Sequence, residues 1–187
     1  MSKRLTAADW VAFALKILAR RGFESLKADV LARELGVSRG SFYWHFPDLA
    51  DFHAAVISEW QRVATDAIIA DIEKHSHLEQ RLEALLRHAF GESVRLEVRM
   101  RAWGQDNAQA AKAVAQIDSR RLDYIVAMIV RQGVPQDVAR ARAQLLYWAY
   151  IGAAAARRKL TQQQLDLLVA ELLRLALAPK TGSGSAA

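Results

Sequence analysis

Arg39, Ser41, Tyr43 and Trp44 fall within six residues of sequence, and each carries a side chain able to address nucleic acid. An arginine fork pairs with the edge of guanine, and a serine hydroxyl bonds either a donor or an acceptor. Aromatic rings pack on thymine methyl groups and sugars, and a tyrosine hydroxyl reaches phosphate. The residues of catalytic type form no comparable set. His75, His77 and His88 invite a metal reading, but 75 and 77 stand two apart, and no carboxylate joins them at a fitting interval, so no metal site is expected. The chain has no Cys, which excludes disulfides, thiolate zinc sites, iron–sulfur clusters and cysteine nucleophiles together. No Ser/His/Asp arrangement and no glycine-rich phosphate cradle occurs, so no catalytic residue, no cofactor and no enzymatic activity are expected.

Four reading side chains act together only if a short rod presents them on one outward face. Leu31 and Leu35, with the small Ala32 beside them, predict a helix over 25–35 that ends at Gly36, a residue free to take the left-handed conformation of a sharp exit. The turn Gly36-Val37-Ser38 leads to a second helix over 39–45, which Ser38 is placed to cap and Pro47 stops. Leu31, Leu35, Val37 and Phe42 fill the angle between the two helices, and Phe46 shares their core face. Arg39, Ser41, Tyr43 and Trp44 are left outside, on a helix-turn-helix suited to a major groove. Upstream, Thr6-x-x-Asp9 is a cap for a helix that carries Trp10, Phe13, Ala14, Ile17 and Leu18 on one stripe and stops at Gly22.

The rest of the chain reads as helix as well. Of 187 residues, 52% are hydrophobic and 25% charged, with only three Pro and nine Gly, too few breakers for a many-stranded sandwich or barrel. Helices are expected over 48–74, 77–101, 114–131, 135–159 and 165–178, the last behind the capping box Thr161-x-x-Gln164. No run of about 18 apolar residues occurs, so no membrane partner and a cytoplasmic location are expected. Charge is uneven. Residues 1–47 hold eight basic side chains (Lys3, Arg4, Lys16, Arg20, Arg21, Lys27, Arg33, Arg39) against four acidic ones (Asp9, Glu24, Asp29, Glu34), so a quarter of the length carries +4 of the total +6. That is the balance of a nucleic-acid-binding segment on a nearly neutral body. Arg157-Arg158-Lys159 is a second basic run, placed where cations suit the end of a helix.

Gly22-Phe23-Glu24, Leu31-Ala32 and the run Gly36-Val37-Ser38-Arg39-Gly40-Ser41-Phe42-Tyr43-Trp44-His45-Phe46 resemble the DNA-binding signature of the TetR (tetracycline-repressor-like) transcriptional regulators. The resemblance covers about a quarter of the chain. It implies an all-α homodimer with an N-terminal three-helix helix-turn-helix domain over 1–47, which binds a palindromic operator on double-stranded DNA. A ligand-binding and dimerisation body of about six helices would follow over 48–180, leaving 181–187 as a disordered tail. It further implies a repressor released by a small-molecule inducer. Carried over, Arg39 and Ser41 match base-contacting positions, Tyr43 and His45 match backbone-contacting positions, and Trp44 is mixed. Gly40 lets the backbone come close to DNA, and Ser38 and Lys27 complete the DNA-binding set. Two departures matter. Lys27 stands where the family has a capping Ser or Thr, so the cap comes from Ser25 or is absent, while Lys27 itself can reach phosphate. Asp48-Leu49-Ala50-Asp51 replaces a segment that normally opens with Lys, which weakens the expected phosphate contact. Leu49 and Asp51 are the basis of the competing reading, a helical interaction protein with a degenerate helix-turn-helix and no operator binding.

In the body, Trp60, Phe90, Trp103, Tyr124, Met128 and Tyr147 are the candidate lining of an inducer pocket, one that would be mainly apolar. Each also has the character of a core residue. The last two helices carry Leu145, Trp148 and Gly152, then Leu165, Leu168 and Leu172, more apolar surface than one side can hide. A second copy is expected to pair there.

Overall fold

Thr6 starts the first helix as the sequence predicts. In the computed structural model, which describes residues 5–91, 94–156 and 160–178, its hydroxyl accepts from the Asp9 amide at 3.2 Å, and the Asp9 carboxylate accepts from the Thr6 amide at 2.8 Å. The helix so capped, α1 (Ala7–Arg21), ends at Gly22, whose φ of 87° favours glycine. A single 3₁₀ turn (Phe23–Ser25) precedes α2 (Ala28–Leu35), so the first helix of the motif starts at 28 and not at 25. Gly36 takes the left-handed conformation, at φ 68°, and turns the chain into α3 (Arg39–Tyr43).

The helix expected over 48–74 is α4 (Leu49–Gln61), a π-helical stretch (Arg62–Asp66) and α5 (Ala67–Ile72) in unbroken succession. The helix expected over 77–101 is two, α6 (Leu78–Gly91) and α7 (Arg95–Asp106). The helix expected from 114 begins earlier, as α8 (Ala108–Arg131), because the Asn107 side chain accepts from the Ala110 amide at 2.9 Å and caps it. Last come α9 (Gln136–Ala156) and α10 (Gln162–Leu177), the latter opened by the predicted capping box of Thr161 and Gln164. No strand occurs among the described residues. Lys3, Arg4, the run 157–159 and the tail 181–187 lie outside them.

The described residues pack as two units. The first takes 5–67 and 94–117, the second 68–91, 118–156 and 160–178, and the chain passes between them at the start of α5, between α6 and α7, and within α8. In the first, α1 lies against α4 and α7, and α2 against α3, around Trp10, Ile17, Leu18, Leu31, Phe42, Phe52, Trp60, Met100 and Trp103. In the second, α10 lies against α6 and α9 around Leu82, Leu86, Ile129, Leu146, Tyr147 and Val169.

Candidate nucleic-acid interface

A five-residue helix has no stability of its own, so α3 must be held by what it buries. Phe42 supplies the anchor. It is fully buried, meeting Trp10 of α1 edge-on at 5.4 Å, Phe52 of α4 at 5.0 Å and Phe46 at 5.3 Å. Emptying such a site costs about 3–5 kcal/mol. Gly36 fixes the angle at which α3 leaves α2, with the Val37 amide donating back to the Ala32 carbonyl at 3.0 Å.

With Phe42 and Phe46 inward, Arg39, Tyr43 and Trp44 lie exposed on the other side, while Ser41, expected beside them, is only partly so. Trp44 is 72% exposed and Tyr43 44%; Lys27, Ser38, Arg39 and Gly40 are exposed, and Ser41 and His45 half-buried. Arg39 lies along the helix, donating from Nη2 to the Tyr43 hydroxyl at 3.0 Å, with its guanidinium 5.4 Å from the centre of the Tyr43 ring. That hydroxyl raises the Arg39 pKa above its ordinary value, and the side chain is a permanent cation.

Three local details differ from expectation or resolve it. Ser38 occupies the N-cap position of α3, but its hydroxyl makes no cap bond; its carbonyl accepts from the Ser41 amide instead, at 3.0 Å. Lys27 occupies the N-cap position of α2, also without a side-chain cap, and its ammonium lies 3.6 Å from Glu24. Ser25 does not substitute, because its hydroxyl donates to the Gly22 carbonyl. The cap of α2 is therefore absent. The residues behind the second departure have structural roles: Asp48 caps α4, accepting from the Asp51 amide at 2.8 Å, and Leu49 packs on the first core.

The six candidate pocket residues are divided between the two units. Trp60 and Trp103 are buried in the first unit. Phe90, Tyr124, Met128 and Tyr147 belong to the second. There the Tyr147 hydroxyl donates to Asp118 at 2.6 Å, and burial, reinforced by that bond, pushes its pKa far above the usual tyrosine range. Tyr150 lies 6.0 Å from Tyr147 and 6.5 Å from Phe90, under the guanidinium of Arg121 at 5.7 Å. The Tyr124 hydroxyl is buried without a hydrogen-bond partner among the described residues.

Of the expected pairing surface, Leu145 (49% exposed), Trp148 (63%) and Gly152 stand out from α9, while Leu165, Leu168 and Leu172 are half-buried on α10. From 143 to 156 the sequence holds no charged residue, and Ala149, Ala153, Ala155 and Ala156 are exposed alongside. His53, which sequence spacing does not single out, reaches the approach to α2: its Nε2–H donates to the Leu26 carbonyl at 3.0 Å. Among the described residues there is no group of three or more His, Asp or Glu able to hold a metal ion, and no helix long and apolar enough to cross a membrane.

Residues 11–56 match the profile of the bacterial regulatory proteins of the tetR family. Three solved structures share the fold. A transcriptional regulator from Saccharomonospora viridis in complex with choline has a TM-score of 0.68 at 18% identity, over 89% of this chain and 92% of that one. The fatty acid degradation regulator FadR from Bacillus halodurans has 0.66 at 16%, over 97% and 99%. The transcriptional regulator FadR from Bacillus subtilis, in complex with stearoyl-CoA, has 0.63 at 14%, over 90% and 96%. No curated protein matches the sequence.

Proposed function

This chain belongs to the tetR family of bacterial regulatory proteins through its residues 11–56, and from that premise we propose that it is a ligand-released transcriptional repressor. It binds a near-palindromic operator as a homodimer, with α3 of each protomer in successive major grooves about 34 Å apart, one turn of DNA, or a multiple of it. Residues 1–47 do the reading. Arg39 and Ser41 address base edges, Tyr43, His45, Ser38 and Lys27 the backbone, Trp44 both, and Gly40 lets the strand approach.

The observation that carries this reading is the division of one short segment into an inward half and an outward half. Phe42 and Phe46 are consumed by the core, while Arg39, Tyr43 and Trp44 are exposed together, two adjacent aromatics beside a cation on one outward surface. The uncharged outer face of α9, with Leu145, Trp148 and Gly152, joined by Leu168 on α10, supports pairing of two copies. Residues 48–180 would hold the inducer. Phe90, Tyr124, Met128 and Tyr147 in the second unit favour a small, mainly apolar molecule. Choline and stearoyl-CoA, bound by two proteins of the same fold, support a small-molecule effector as a class. Such a protein works in the cytoplasm, beside the DNA.

Selection of bound sequences from a random duplex pool tests the reading. The expected result is a two-half-site consensus with dyad symmetry. A purified protein that shifts no duplex in preference to bulk competitor would leave the helix-turn-helix as a scaffold only, the role of a helical interaction protein.

A further inference from the structure

The reading helices rest on a helix start that lacks its own cap. A recognition constellation must be held to within about 0.5 Å to be productive, and α3 packs directly on α2. Yet neither Lys27 nor Ser25 bonds the free amides at the start of α2. What fixes that start comes from outside the helix-turn-helix. Leu26, two positions before α2, is 1% exposed, and its carbonyl accepts the Nε2–H of His53 from α4. A carbonyl only accepts, so the imidazole carries a proton on Nε2.

The ring of His53 is itself held by aromatic neighbours. Phe23, in the 3₁₀ turn before α2, meets it at 5.1 Å, and Trp103 of α7 meets it edge-on at 5.4 Å. Phe23 in turn stacks on Trp103 at 4.5 Å, with the two planes 19° apart. One backbone carbonyl thus sits beside side chains from the turn, from α4 and from α7, all within the first unit.

Resting on the DNA-binding reading above, we infer that His53 is a positioning residue for operator recognition: it ties the uncapped start of α2 to α4 and makes the pose of the reading helices depend on α4 and α7. It acts through the Leu26 carbonyl and not by touching DNA. Losing it weakens all duplexes alike, whereas losing a base-reading residue changes the order of preference.

Two polar variants of similar size separate this role from simple stability. His53→Gln keeps an N–H donor at about the reach of Nε2, whereas His53→Asn carries its amide roughly one bond short. Affinity for the selected operator and for a half-site variant is measured by anisotropy at fixed salt. Hydrogen exchange of the amides of 28–31 is measured without DNA, and a circular dichroism melt checks folding. His53→Asn is expected to weaken both duplexes about five- to tenfold for each protomer engaged, the worth of one hydrogen bond apiece, and to speed exchange at 28–31 by that per-protomer factor. His53→Gln is expected to stay within about twofold of the parent on both counts. An Asn variant with parental affinity and protection overturns the inference, as does a folded Gln variant that loses as much as Asn. If His53→Asn does not fold, His53→Gln decides: parental behaviour supports the tether and a loss refutes it. If the parent itself selects no duplex, the DNA-binding reading fails, and the exchange measurement still decides whether His53 holds α2.

Discussion

The bond between Arg39 and Tyr43 makes a prediction about specificity that neither residue makes alone. An arginine that reads guanine must give up its rotamer freedom on binding, and ordering one such side chain costs about 0.5–1.5 kcal/mol. Here the Tyr43 hydroxyl, one helical turn away at 3.0 Å, already holds one nitrogen of the fork, with the ring beneath the guanidinium. Part of the ordering cost is therefore met before DNA arrives. Arg39→Ala should lower affinity for the selected operator about ten- to a hundredfold and erase preference at one base pair per half-site. Tyr43→Phe keeps the ring but removes the hydroxyl. It should lower discrimination at that same base pair about two- to tenfold, beyond any uniform loss from a missing phosphate contact. The assay is an anisotropy titration of parent, both single variants and the double variant against the operator and its single-base change, at one salt concentration. In the Arg39→Ala background, Tyr43→Phe should leave discrimination untouched. If the two losses in discrimination multiply as independent effects, or if Tyr43→Phe weakens both duplexes equally, the coupled-pair reasoning is wrong. Lys27→Ala serves as the control, since it should weaken both duplexes alike and flatten the salt dependence.

Three further outcomes are expected. Trp148→Glu, at a site 63% exposed on the uncharged face of α9, should yield monomers by light scattering with the protomer still folded, as should Leu168→Glu; dimers surviving both changes would remove that interface. Asp166 is held below the ordinary carboxylate range by its bond from Arg87 at 2.6 Å, so the stabilisation is present above the unfolded pKa and is lost as pH falls through the folded one. Arg87→Gln should therefore lower the melting midpoint near neutrality, and the gap to the parent should close below about pH 4; a gap that persists in acid contradicts the pairing. Gly104 faces the Ala111 backbone so closely that an added Cβ would lie 3.2 Å from its Cα, so Gly104→Ala should shift α8 against α7 and weaken operator binding with no ligand present; an unchanged operator affinity would show that α7 does not govern the reading helices.

The helix-turn-helix was legible because its signals are local. Thr6-x-x-Asp9, the left-handed Gly36 and the four-residue spacing of Phe42 and Phe46 each bias backbone or burial within one or two turns. What escaped was set over distance or by small residues. Alanine carries little periodic signal, so the first half of α8 shows only a weak phase, although Ala110 and Ala113 are buried there and Asn107 caps it. The apolar residues of α6 and α7 run on in compatible phase, which hid that one helix ends at Gly91 and another begins at Arg95. The π-helical stretch at Arg62–Asp66 contains neither Gly nor Pro to announce it. Trp60, Phe90, Trp103, Tyr124, Met128 and Tyr147 look alike in sequence, and only packing assigns two of them to one unit and four to the other. His53 was invisible for the same reason: its partner, the Leu26 carbonyl, is 27 residues away and is backbone, and no side-chain pattern marks it.

These long-range contacts also bear on how little the proposed inducer would need to do. A switch of 5- to 150-fold requires a ligand preference of only about 1–3 kcal/mol between the two states. One hydrogen bond is worth about 1 kcal/mol net, so losing the His53 tether in both protomers of the proposed dimer would account for a switch of that size without unfolding any element. A route to that tether exists inside the first unit. The part of α8 that packs there, through Ala110, Ala113 and Ile117, meets α7 at the Gly104–Ala111 contact, and α7 carries Trp103 against Phe23 and His53. Within that unit, a displacement of the first half of α8 would reach the start of α2 through α7 alone. Close-packed contacts do not stretch; they hold or they slip, which turns a small displacement into loss of a single well-defined bond.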